Sequence, residues 1–365
     1  MIVDDSAVIR GMLTRWLQEE DGVTVCASAA NGEMALAQMA KSKPDVVILD
    51  IEMPKMDGLT ALPKLLEIDP RAKIVMSSTL TTRNAEVSIR AIELGASDYL
   101  AKPEASRDPK ITEAFRLELL GKVRGLGGAR RMRPRSPATA VAREQQDRIV
   151  RARPEGGLYG ASPITVRKAM TGRPDAIAIG SSTGGPQALM ALFGNVGAPL
   201  RQPILITQHM PGTFTKILAQ HLDKLPGVDC AEAVNGEPLQ PGRVYLAPGD
   251  YHMLVERSAG KPVIRLNQDP PVNFCRPAVD PMLRSMAQTF NGRVLAVVLT
   301  GMGHDGLGGG QAIVDSGGMV VAQDEASSVV WGMPGAVATG GLCSAVLPVQ
   351  EIGLAVRRVA DGGGL

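Results

Sequence analysis

The chain has 365 residues, 44% of them hydrophobic and 3% aromatic, with a net charge of +2 at neutral pH, and this length suffices for two domains of ordinary size. No apolar run approaches the roughly 20 residues that cross a bilayer, and no basic-then-apolar signal peptide opens the chain, so we expect a cytoplasmic protein. The four cysteines are scattered without a CxxC pair, which predicts neither a disulfide framework nor a zinc site.

The first 120 or so residues alternate between predicted strands and predicted helices. Hydrophobic runs predict strands at 2–3, 23–29, 46–50, 73–76 and 99–100. Helical spacing predicts helices at 7–18, 32–39, 58–67, 85–94 and 111–123. Strands separated by helices form a parallel, doubly wound sheet, and right-handed crossovers bring all strand carboxyl ends to one edge.

That edge is predicted to collect Asp4, Asp5, Asp50 and Lys102. Three neighbouring carboxylates repel one another, and a hard divalent cation such as Mg²⁺ makes such a cluster tolerable. A nearby lysine can neutralise a transferred phosphoryl group. Each aspartate taken alone is equally consistent with a turn or a helix cap, but the set favours a metal site.

Three short segments carry a resemblance to the receiver domain of two-component response regulators, which has a flavodoxin-like fold. They are VDDS at 3–6, LDIEMPKMDG at 49–58 and AKP at 101–103. The resemblance implies that Asp50 accepts a phosphoryl group. It also implies that Asp5, Asp50 and the backbone carbonyl of Glu52 hold Mg²⁺, with Asp4 in support.

The same resemblance implies a set of switch residues. Lys102 would pair with the phosphoryl group, and its bond to Pro103 is usually cis in the family. Ser78, with Ser77 as the alternative, would be the switch hydroxyl, and Tyr99 the switch aromatic. Receivers usually carry several more residues before the two aspartates, so we expect a short first strand here.

Residues 126–173 lose periodicity and are interpreted as a linker between a receiver at 1–125 and a second domain at 174–365. Eleven arginines and two lysines face only three acidic residues across 121–173. Such a segment is either a solvated linker, with a short helix at 144–151, or a docking arm for an acidic partner. It lacks the aromatic stacking set and the helix-turn-helix pattern of nucleic-acid binding.

The second domain again alternates strands and helices and is predicted to be a doubly wound, mostly parallel α/β domain. Reactive groups follow three of its predicted strands, namely Ser182, His209 and Asp305. Serine needs a base to act as a nucleophile at neutral pH, histidine is a suitable base, and a carboxylate orients the imidazole. Parallel strands bring these ends to one edge of a sheet.

Alternatives exist for each member of this triad. Ser181 neighbours Ser182, His304 competes with His209, and Asp305 before a glycine is also a plausible helix cap. His221 and His252 fit structural roles better. The GxSxG elbow of α/β-hydrolases is absent around Ser182, and the glycines at 180–185 match neither GxGxxG nor a Walker loop, which argues against a nucleotide-binding module.

Motifs across the second domain resemble the catalytic domain of the CheB family of chemotaxis protein-glutamate methylesterases. They are IGSSTGGP at 179–186, QHM at 208–210, LAPG at 246–249, PVN at 271–273, RPAVD at 276–280, LTGMGHDG at 299–306 and WGMPGAV at 331–337. The resemblance implies Ser182 as nucleophile, His209 as base and Asp305 as its orienting group. Met302, through its backbone N–H, and Thr183 would form the oxyanion hole.

The family resemblance also implies an activity, partners and cofactors. We expect hydrolysis of glutamyl methyl esters and deamidation of glutamines on chemoreceptors, with a chemotaxis histidine kinase as phosphodonor. Mg²⁺ would serve phosphorylation, and the esterase chemistry would need no cofactor. The enzyme is expected to be a monomer that neither enters membranes nor binds nucleic acid, and its unphosphorylated receiver is expected to cover the triad.

Two departures from the family pattern lie beside the predicted triad. His304 stands where the family commonly has asparagine, which predicts an altered pH profile. Phe274 and Cys275 precede the Arg-Pro pair at positions where other residues are common.

Overall fold

The computed structural model describes residues 1–79, 81–102, 109–131, 164–197 and 199–365. Two compact units divide the chain near residue 131. Most of the basic segment at 126–173, including the short helix expected at 144–151, lies outside the described residues, and so does Pro103 with its expected cis bond. None of the described helices combines the length and apolarity needed to cross a membrane.

The N-terminal unit is a five-stranded parallel sheet in the order β2-β1-β3-β4-β5 with helices between successive strands. Its strands are β1 (Ile2–Val3), β2 (Ser28–Ala29), β3 (Val46–Asp50), β4 (Lys73–Thr79) and β5 (Asp98–Lys102). Its helices are α1 (Ala7–Gln18), α2 (Gly32–Ser42), α3 (Gly58–Ile68), α4 (Thr82–Glu93) and α5 (Pro109–Arg131). This confirms the predicted flavodoxin-like order.

Polar caps explain where four of these helices begin. Side-chain oxygens accept hydrogen bonds from backbone N–H groups of the first turn at Ser6, Asn31, Asp57 and Thr81. Such caps satisfy donors that a helix start leaves unpaired. The second strand is much shorter than the predicted 23–29, because β2 pairs only with β1, which offers two residues.

Helix α5 continues past residue 125, where the sequence predicts the linker to begin. Leu126 is fully buried, and Arg130 pairs with two acids of the sheet unit. Its Nε lies 3.0 Å from Asp45 Oδ1 and its Nη2 lies 2.6 Å from Asp69 Oδ2. These contacts hold the last turns of α5 on the unit, so the helix extends beyond residue 123, where the hydrophobic periodicity predicts its end.

The C-terminal unit contains a seven-stranded sheet in the order β14-β13-β12-β6-β7-β9-β8, in which every pair is parallel. Its strands are β6 (Ala176–Ser181), β7 (Ile204–Gln208), β8 (Asp229–Glu232), β9 (Arg243–Leu246), β12 (Val294–Val298), β13 (Met319–Gln323) and β14 (Cys343–Leu347). A separate antiparallel hairpin joins β10 (His252–Ser258) and β11 (Lys261–Asn267). The predicted mostly parallel α/β fold is confirmed.

In the second half of the chain, five described helices follow parallel strands, and α8 follows the antiparallel hairpin. They are α6 (Gly185–Val196), α7 (Gly212–Asp223), α8 (Val279–Thr289), α9 (Leu307–Asp315), α10 (Met333–Thr339) and α11 (Val349–Ala360). Strand β6 lies between β12 and β7, and all three are entirely buried. Because these strands are parallel neighbours, the segments that follow them meet at one edge of the sheet.

Residues before the predicted domain start at 174 already pack on this unit. Ile164 contacts the hydrophobic core, and the backbone N–H of Arg167 donates to the carbonyl of Cys343 at 2.8 Å. The hydrophobic pattern did not predict β8, β11, β14, α10 or α11.

Candidate active site

The first candidate site is the acidic cluster at the carboxyl ends of β1 and β3. One oxygen from each of Asp4, Asp5 and Asp50 lies within 4.8 Å of the others. Lys102 Nζ lies 2.7 Å from Asp4 Oδ2 and 2.8 Å from Asp50 Oδ1. The structure therefore brings together the carboxylates and the lysine that the sequence places at this edge.

The electrostatics of the cluster favour a cation. Burial raises the pKa of Asp50 to about 6; the charge and hydrogen bond of Lys102 oppose this, while Asp4 and Asp5 add to it. A carboxyl group that is costly to ionise among like charges gains from a bound divalent cation. The all-oxygen donor set fits Mg²⁺, and an open pocket lined by Asp5, Glu52 and Asn84 gives access to it.

The predicted switch residues lie on β4 and β5, the two strands beyond β3 in the sheet. Ser78 is buried, with its Oγ 3.2 Å from Ser88 Oγ, whereas the buried hydroxyl of Ser77 makes no hydrogen bond within the described residues. Tyr99 is buried in β5, its carbonyl accepts a hydrogen bond from Lys122, and the Lys122 ammonium lies 4.8 Å from its ring centroid. Glu52 is exposed, just beyond β3.

The second candidate site lies where β6, β7 and β12 end. Ser182 directly follows β6, His209 directly follows β7, and Asp305 lies in the loop between β12 and α9. The backbone joins these ends: His209 N–H donates to Ser181 O at 3.1 Å, and Ser182 N–H donates to Thr300 O at 3.0 Å. The structure thus brings the three strand ends to one place.

Asp305 is a buried carboxylate with many donors around it. It accepts hydrogen bonds from the backbone N–H of Val279 at 2.6 Å and of Asp280 at 3.0 Å, and from Asn273 Nδ2 at 3.0 Å. Burial acts to raise the pKa of Asp305, but the bond from His209 and these backbone donors outweigh it and lower that pKa. Asp305 is therefore a stable anion.

His209 connects that anion to the rest of the site. Its Nε2 lies 2.7 Å from Asp305 Oδ2, so Nε2 carries a proton and donates it to the carboxylate. The other ring nitrogen, Nδ1, lies 3.3 Å from Cys275 Sγ. Burial acts to lower the pKa of His209, but the electrostatic interaction with Cys275 and the hydrogen bond to Asp305 raise it overall.

The two neighbouring serines occupy different environments. Ser181 is fully buried, and its hydroxyl donates to Gln208 Oε1 at 2.6 Å. Gln208 Nε2 donates in turn to the carbonyls of Ser182 at 3.0 Å and His209 at 3.1 Å. Ser182 is partly exposed at the turn into α6. The geometry therefore favours Ser182 over Ser181 as the group that meets a substrate.

Two backbone N–H groups beside Ser182 are available to an oxyanion. In the parts of the chain that are described, neither Thr183 N–H nor Met302 N–H has an acceptor. The loop is pinned by Thr300, whose Oγ1 donates to Thr183 O at 2.9 Å. A Cβ atom added at Gly301 would lie 2.8 Å from Ser182 Cβ, which is too close for a normal contact. The backbone can therefore approach Ser182 this closely only because position 301 is glycine.

The remaining histidines lie away from this arrangement. His304 is exposed on the loop before Asp305, His221 lies on α7, and His252 is buried with Nδ1 accepting from Ala278 N–H at 3.2 Å. The geometry thus favours His209 over His304 as the base, because His209 Nε2 lies 2.7 Å from Asp305 Oδ2.

Sequence reasoning missed three residues that contact the triad or support it. Asn273 and Cys275 flank it from one turn, and Asp280 Oδ1 accepts from Gly306 N–H at 3.0 Å and Gly309 N–H at 2.6 Å, which fixes the start of α9. The PVN and RPAVD motifs contained the signal, since they hold Asn273 and Asp280. Asn273 and Asp280 do not follow a predicted parallel strand, so the strand-end argument that identified the other site residues did not apply to them.

Comparison with known proteins assigns both halves of the chain. Residues 177–356 match the family model described as CheB methylesterase, and residues 1–115 match the response regulator receiver domain.

Individual relatives agree with these matches. A Paramagnetospirillum magneticum protein, "Protein-glutamate methylesterase/protein-glutamine glutaminase 1", is 55% identical over 99% of this chain and 95% of its own length. An Azospirillum brasilense protein, "Protein-glutamate methylesterase/protein-glutamine glutaminase", is 52% identical over 99% and 92%. The crystal structure of the Thermotoga maritima CheB methylesterase catalytic domain covers 50% of this chain and 97% of that chain, at 40% identity and a TM-score of 0.49.

Proposed function

Because this chain belongs to the CheB methylesterase family with an N-terminal response regulator receiver domain, we propose that it hydrolyses glutamyl methyl esters on chemoreceptors and deamidates glutamines there. The observation that carries this proposal is the meeting of Ser182, His209 and Asp305 at adjacent strand ends, with His209 Nε2 2.7 Å from Asp305 Oδ2. A serine, an imidazole and an orienting carboxylate suffice for acyl transfer.

The proton path follows from which ring nitrogen binds Asp305. Since Nε2 donates to the carboxylate, the proton of Ser182 Oγ goes to Nδ1. The oxygen then bonds to the ester carbonyl carbon, and Asp305 stabilises the imidazolium that forms. The described residues give no hydrogen bond between Ser182 and His209, and such bonds often tighten only when substrate is bound.

The remaining steps use the same groups. The N–H groups of Met302 and Thr183 stabilise the oxyanion, and one such donor is typically worth about 3 kcal/mol. The tetrahedral intermediate then collapses, the bond to the methoxy oxygen breaks, and Nδ1–H protonates that oxygen to release methanol. Water, deprotonated by His209, hydrolyses the glutamyl-enzyme to a free glutamate. A glutamine follows the same course with ammonia leaving.

The receiver supplies control in this proposal. Asp50 accepts the phosphoryl group from a chemotaxis histidine kinase, and Lys102, already bonded to Asp50, pairs with it. Asp4, Asp5, Asp50 and the backbone carbonyl of Glu52 would hold Mg²⁺, which neutralises charge during transfer. Ser78 and Tyr99 respond to the phosphoryl group, and the unphosphorylated receiver restrains the esterase.

The setting of the activity is part of the same proposal. The enzyme acts as a monomer in the cytoplasm, where the helical signalling portions of chemoreceptors present their glutamyl side chains. The esterase step needs no cofactor, because every proton in the mechanism is handled by His209.

The test is methanol release from methylated chemoreceptor by wild type, Ser182→Ala and Ser181→Ala. Ser182→Ala is expected to abolish release, since no nucleophile remains. Ser181→Ala serves as the neighbouring control, and it is expected to keep measurable activity because its hydroxyl bonds only to Gln208. Equal activity of Ser182→Ala and wild type would contradict the proposal.

A small phosphodonor with Mg²⁺ tests the receiver in the same assay. Wild type is expected to release methanol faster with the donor, whereas Asp50→Asn is expected to show no stimulation. Stimulation that survives in Asp50→Asn would exclude Asp50 as the acceptor while leaving the esterase assignment intact.

A further inference from the structure

A tight turn delivers two side chains to the triad. Val272 N–H donates to Cys275 O at 3.1 Å, and Cys275 N–H donates to Val272 O at 2.9 Å. The two residues between them have positive φ, 52° at Asn273 and 64° at Phe274, as in the two-residue turns of hairpins. Because these bonds close the turn, Cys275 has a defined position beside His209 and is not a freely moving side chain.

The turn contacts both partners of the catalytic hydrogen bond. Asn273 Nδ2 lies 3.0 Å from Asp305 Oδ1, and Cys275 Sγ lies 3.3 Å from His209 Nδ1. Both nitrogens of the imidazole are therefore engaged, Nε2 by Asp305 and Nδ1 by the thiol. Nδ1 is the atom that must receive the proton of Ser182 in the proposed reaction.

We propose that Cys275 is a positioning residue that pairs its thiol with Nδ1 of His209 and so competes with Ser182 for the catalytic base. This inference rests on the proposed esterase mechanism for its consequence, but the pairing itself does not. A thiol is a much stronger acid than an alcohol and passes its proton to an adjacent imidazole readily. While Nδ1 holds that proton, His209 cannot act as a base, and the resting enzyme is attenuated.

Within the described residues, the ionisable groups bonded to the His209 ring are Asp305 and Cys275. Asp280 lies beyond Asp305 and bonds to the start of α9, while His304 is exposed. Burial acts to lower the pKa of His209, and its contacts with Cys275 and Asp305 raise that pKa overall.

The activity test compares the pH dependence of kcat/KM for wild type, Cys275→Ser and Cys275→Ala. Both variants are expected to move the acidic limb to lower pH by about one unit or more, which makes them about tenfold faster on that limb. The serine of Cys275→Ser keeps a hydrogen-bonding hydroxyl near Nδ1, but an alcohol is too weak an acid to give its proton to the imidazole. Cys26→Ser, at an exposed cysteine of the receiver, is expected to leave the profile unchanged.

Two outcomes of that test would overturn the proposal. Profiles of Cys275→Ser and Cys275→Ala that superimpose on wild type would show that the thiol does not influence the base. A uniform loss of rate at every pH, with an unmoved limb, would show that Cys275 only supports the packing of the turn.

A second measurement tests the pairing without any esterase activity. Full-length Ser182→Ala and the double variant Ser182→Ala/His209→Gln are treated with iodoacetamide at neutral pH, and modification of Cys275 is followed by peptide mass spectrometry. Sulfur bonds to the methylene carbon, iodide leaves, and the thiol proton goes to His209 or to solvent. Alkylation at least about tenfold faster with His209 present supports the pair, and equal rates overturn it.

The two measurements separate this inference from the proposed function. If wild type released no methanol, the esterase assignment would fail, while the alkylation rates would still decide whether Cys275 and His209 are paired. The exposed Cys26 is an internal reference in each sample, because its alkylation is expected to be the same in both proteins.

Discussion

Asp50 and Asp305 both lie at the carboxyl edge of a parallel sheet, yet their surroundings have opposite effects on charge. Asp50 faces Asp4 and Asp5 as well as Lys102, and burial raises its pKa to about 6. Asp305 is surrounded by backbone N–H donors and His209, and its pKa is lowered despite burial. The same topological position thus holds one carboxylate that needs a counter-ion and one that does not.

The difference matches the chemistry that we propose for each group. A phosphoryl acceptor must be approached by an anionic donor, and a costly negative charge that recruits Mg²⁺ suits that task. A carboxylate that orients an imidazole must stay ionised and fixed through the whole cycle. Parallel sheets therefore provide the location, and the groups packed around each carboxylate determine how readily it ionises.

The largest expected effect is on the catalytic side, from Asp305→Asn. An amide cannot stabilise the imidazolium and favours the wrong tautomer of His209, so kcat is expected to fall about 10⁴-fold. Methanol release at saturating substrate measures it. Asp315→Asn, at an exposed acid at the end of α9, is the matched control and is expected to leave kcat unchanged. A fall in kcat of less than tenfold for Asp305→Asn would show that the reaction does not need an ionised group at position 305.

Gly301→Ala tests how strictly the loop after β12 is packed. Its Cβ would lie 2.8 Å from Ser182 Cβ and would also meet Met333, so the nucleophile must shift. Misplacement on the scale of 1 Å costs about 10²-fold in rate, and we expect a loss of that order in kcat/KM.

Gly194→Ala on α6 is its control, because a Cβ there meets nothing within 4 Å. Alanine is expected to stabilise that helix by about 0.5–1 kcal/mol without changing the rate. Thermal melting of both variants separates lost stability from lost alignment. A wild-type kcat/KM for Gly301→Ala would show that the loop after β12 can move to accommodate the added methyl group without displacing Ser182.

On the receiver side, Asp50→Asn is expected to stabilise the fold in a pH-dependent way. The pKa of Asp50 is about 6 in the folded protein, against 3.8 for an ordinary aspartate. The protonated Asp50 therefore stabilises the fold below about pH 4, and this contribution is lost as the pH rises through 6. The amide does not ionise, so its advantage is expected to grow from about 0.5 kcal/mol at pH 4 to about 3 kcal/mol at pH 7.

Melting temperatures across that pH range, with and without Mg²⁺, measure this effect. Mg²⁺ is expected to raise the melting temperature of wild type and not that of Asp50→Asn, because the cation compensates the same charge. An advantage for asparagine that is independent of pH would mean that Asp50 is not strained by ionisation.

The smallest expected effect comes from Arg130→Ala at the end of α5. Its ion pairs with Asp45 and Asp69 are partly exposed, and such pairs contribute about 1 kcal/mol or less each. We expect a slightly lower melting temperature and an unchanged rate of methanol release. Arg124→Ala, at a more exposed arginine on the same helix, is expected to cost less.

Much of both sites follows from the sequence because strand ends in parallel sheets are predictable. Asp50 ends a strand that a hydrophobic run predicts, Ser182 and His209 directly follow two such strands, and the parallel topology brings strand ends to one edge of their sheet. The choice between Ser181 and Ser182 could not be made from the sequence. Strand β6 is buried on both faces, so its sequence pattern does not show which serine side chain contacts Gln208. That contact required the structure.

The extent of α5 and the role of Cys275 were also beyond the sequence. The helix is extended by contacts of Arg130 with acids more than sixty positions away, which no local periodicity contains. The spacing of the four cysteines indicates no role for Cys275. Its contact with His209 depends on a turn with positive φ at Asn273 and Phe274, residues without the glycine that usually signals such a turn.

The order of strands in the second sheet has a consequence for synthesis on the ribosome. Strand β6, which Ser182 follows, and β7, which His209 follows, emerge long before β12 and the loop with Asp305, although β12 is the neighbour of β6. A nascent chain that ends before β12 holds the serine and the imidazole without the anion that contacts the imidazole. Under the proposed mechanism, hydrolytic activity is therefore expected only after β12 has been synthesised and has inserted beside β6.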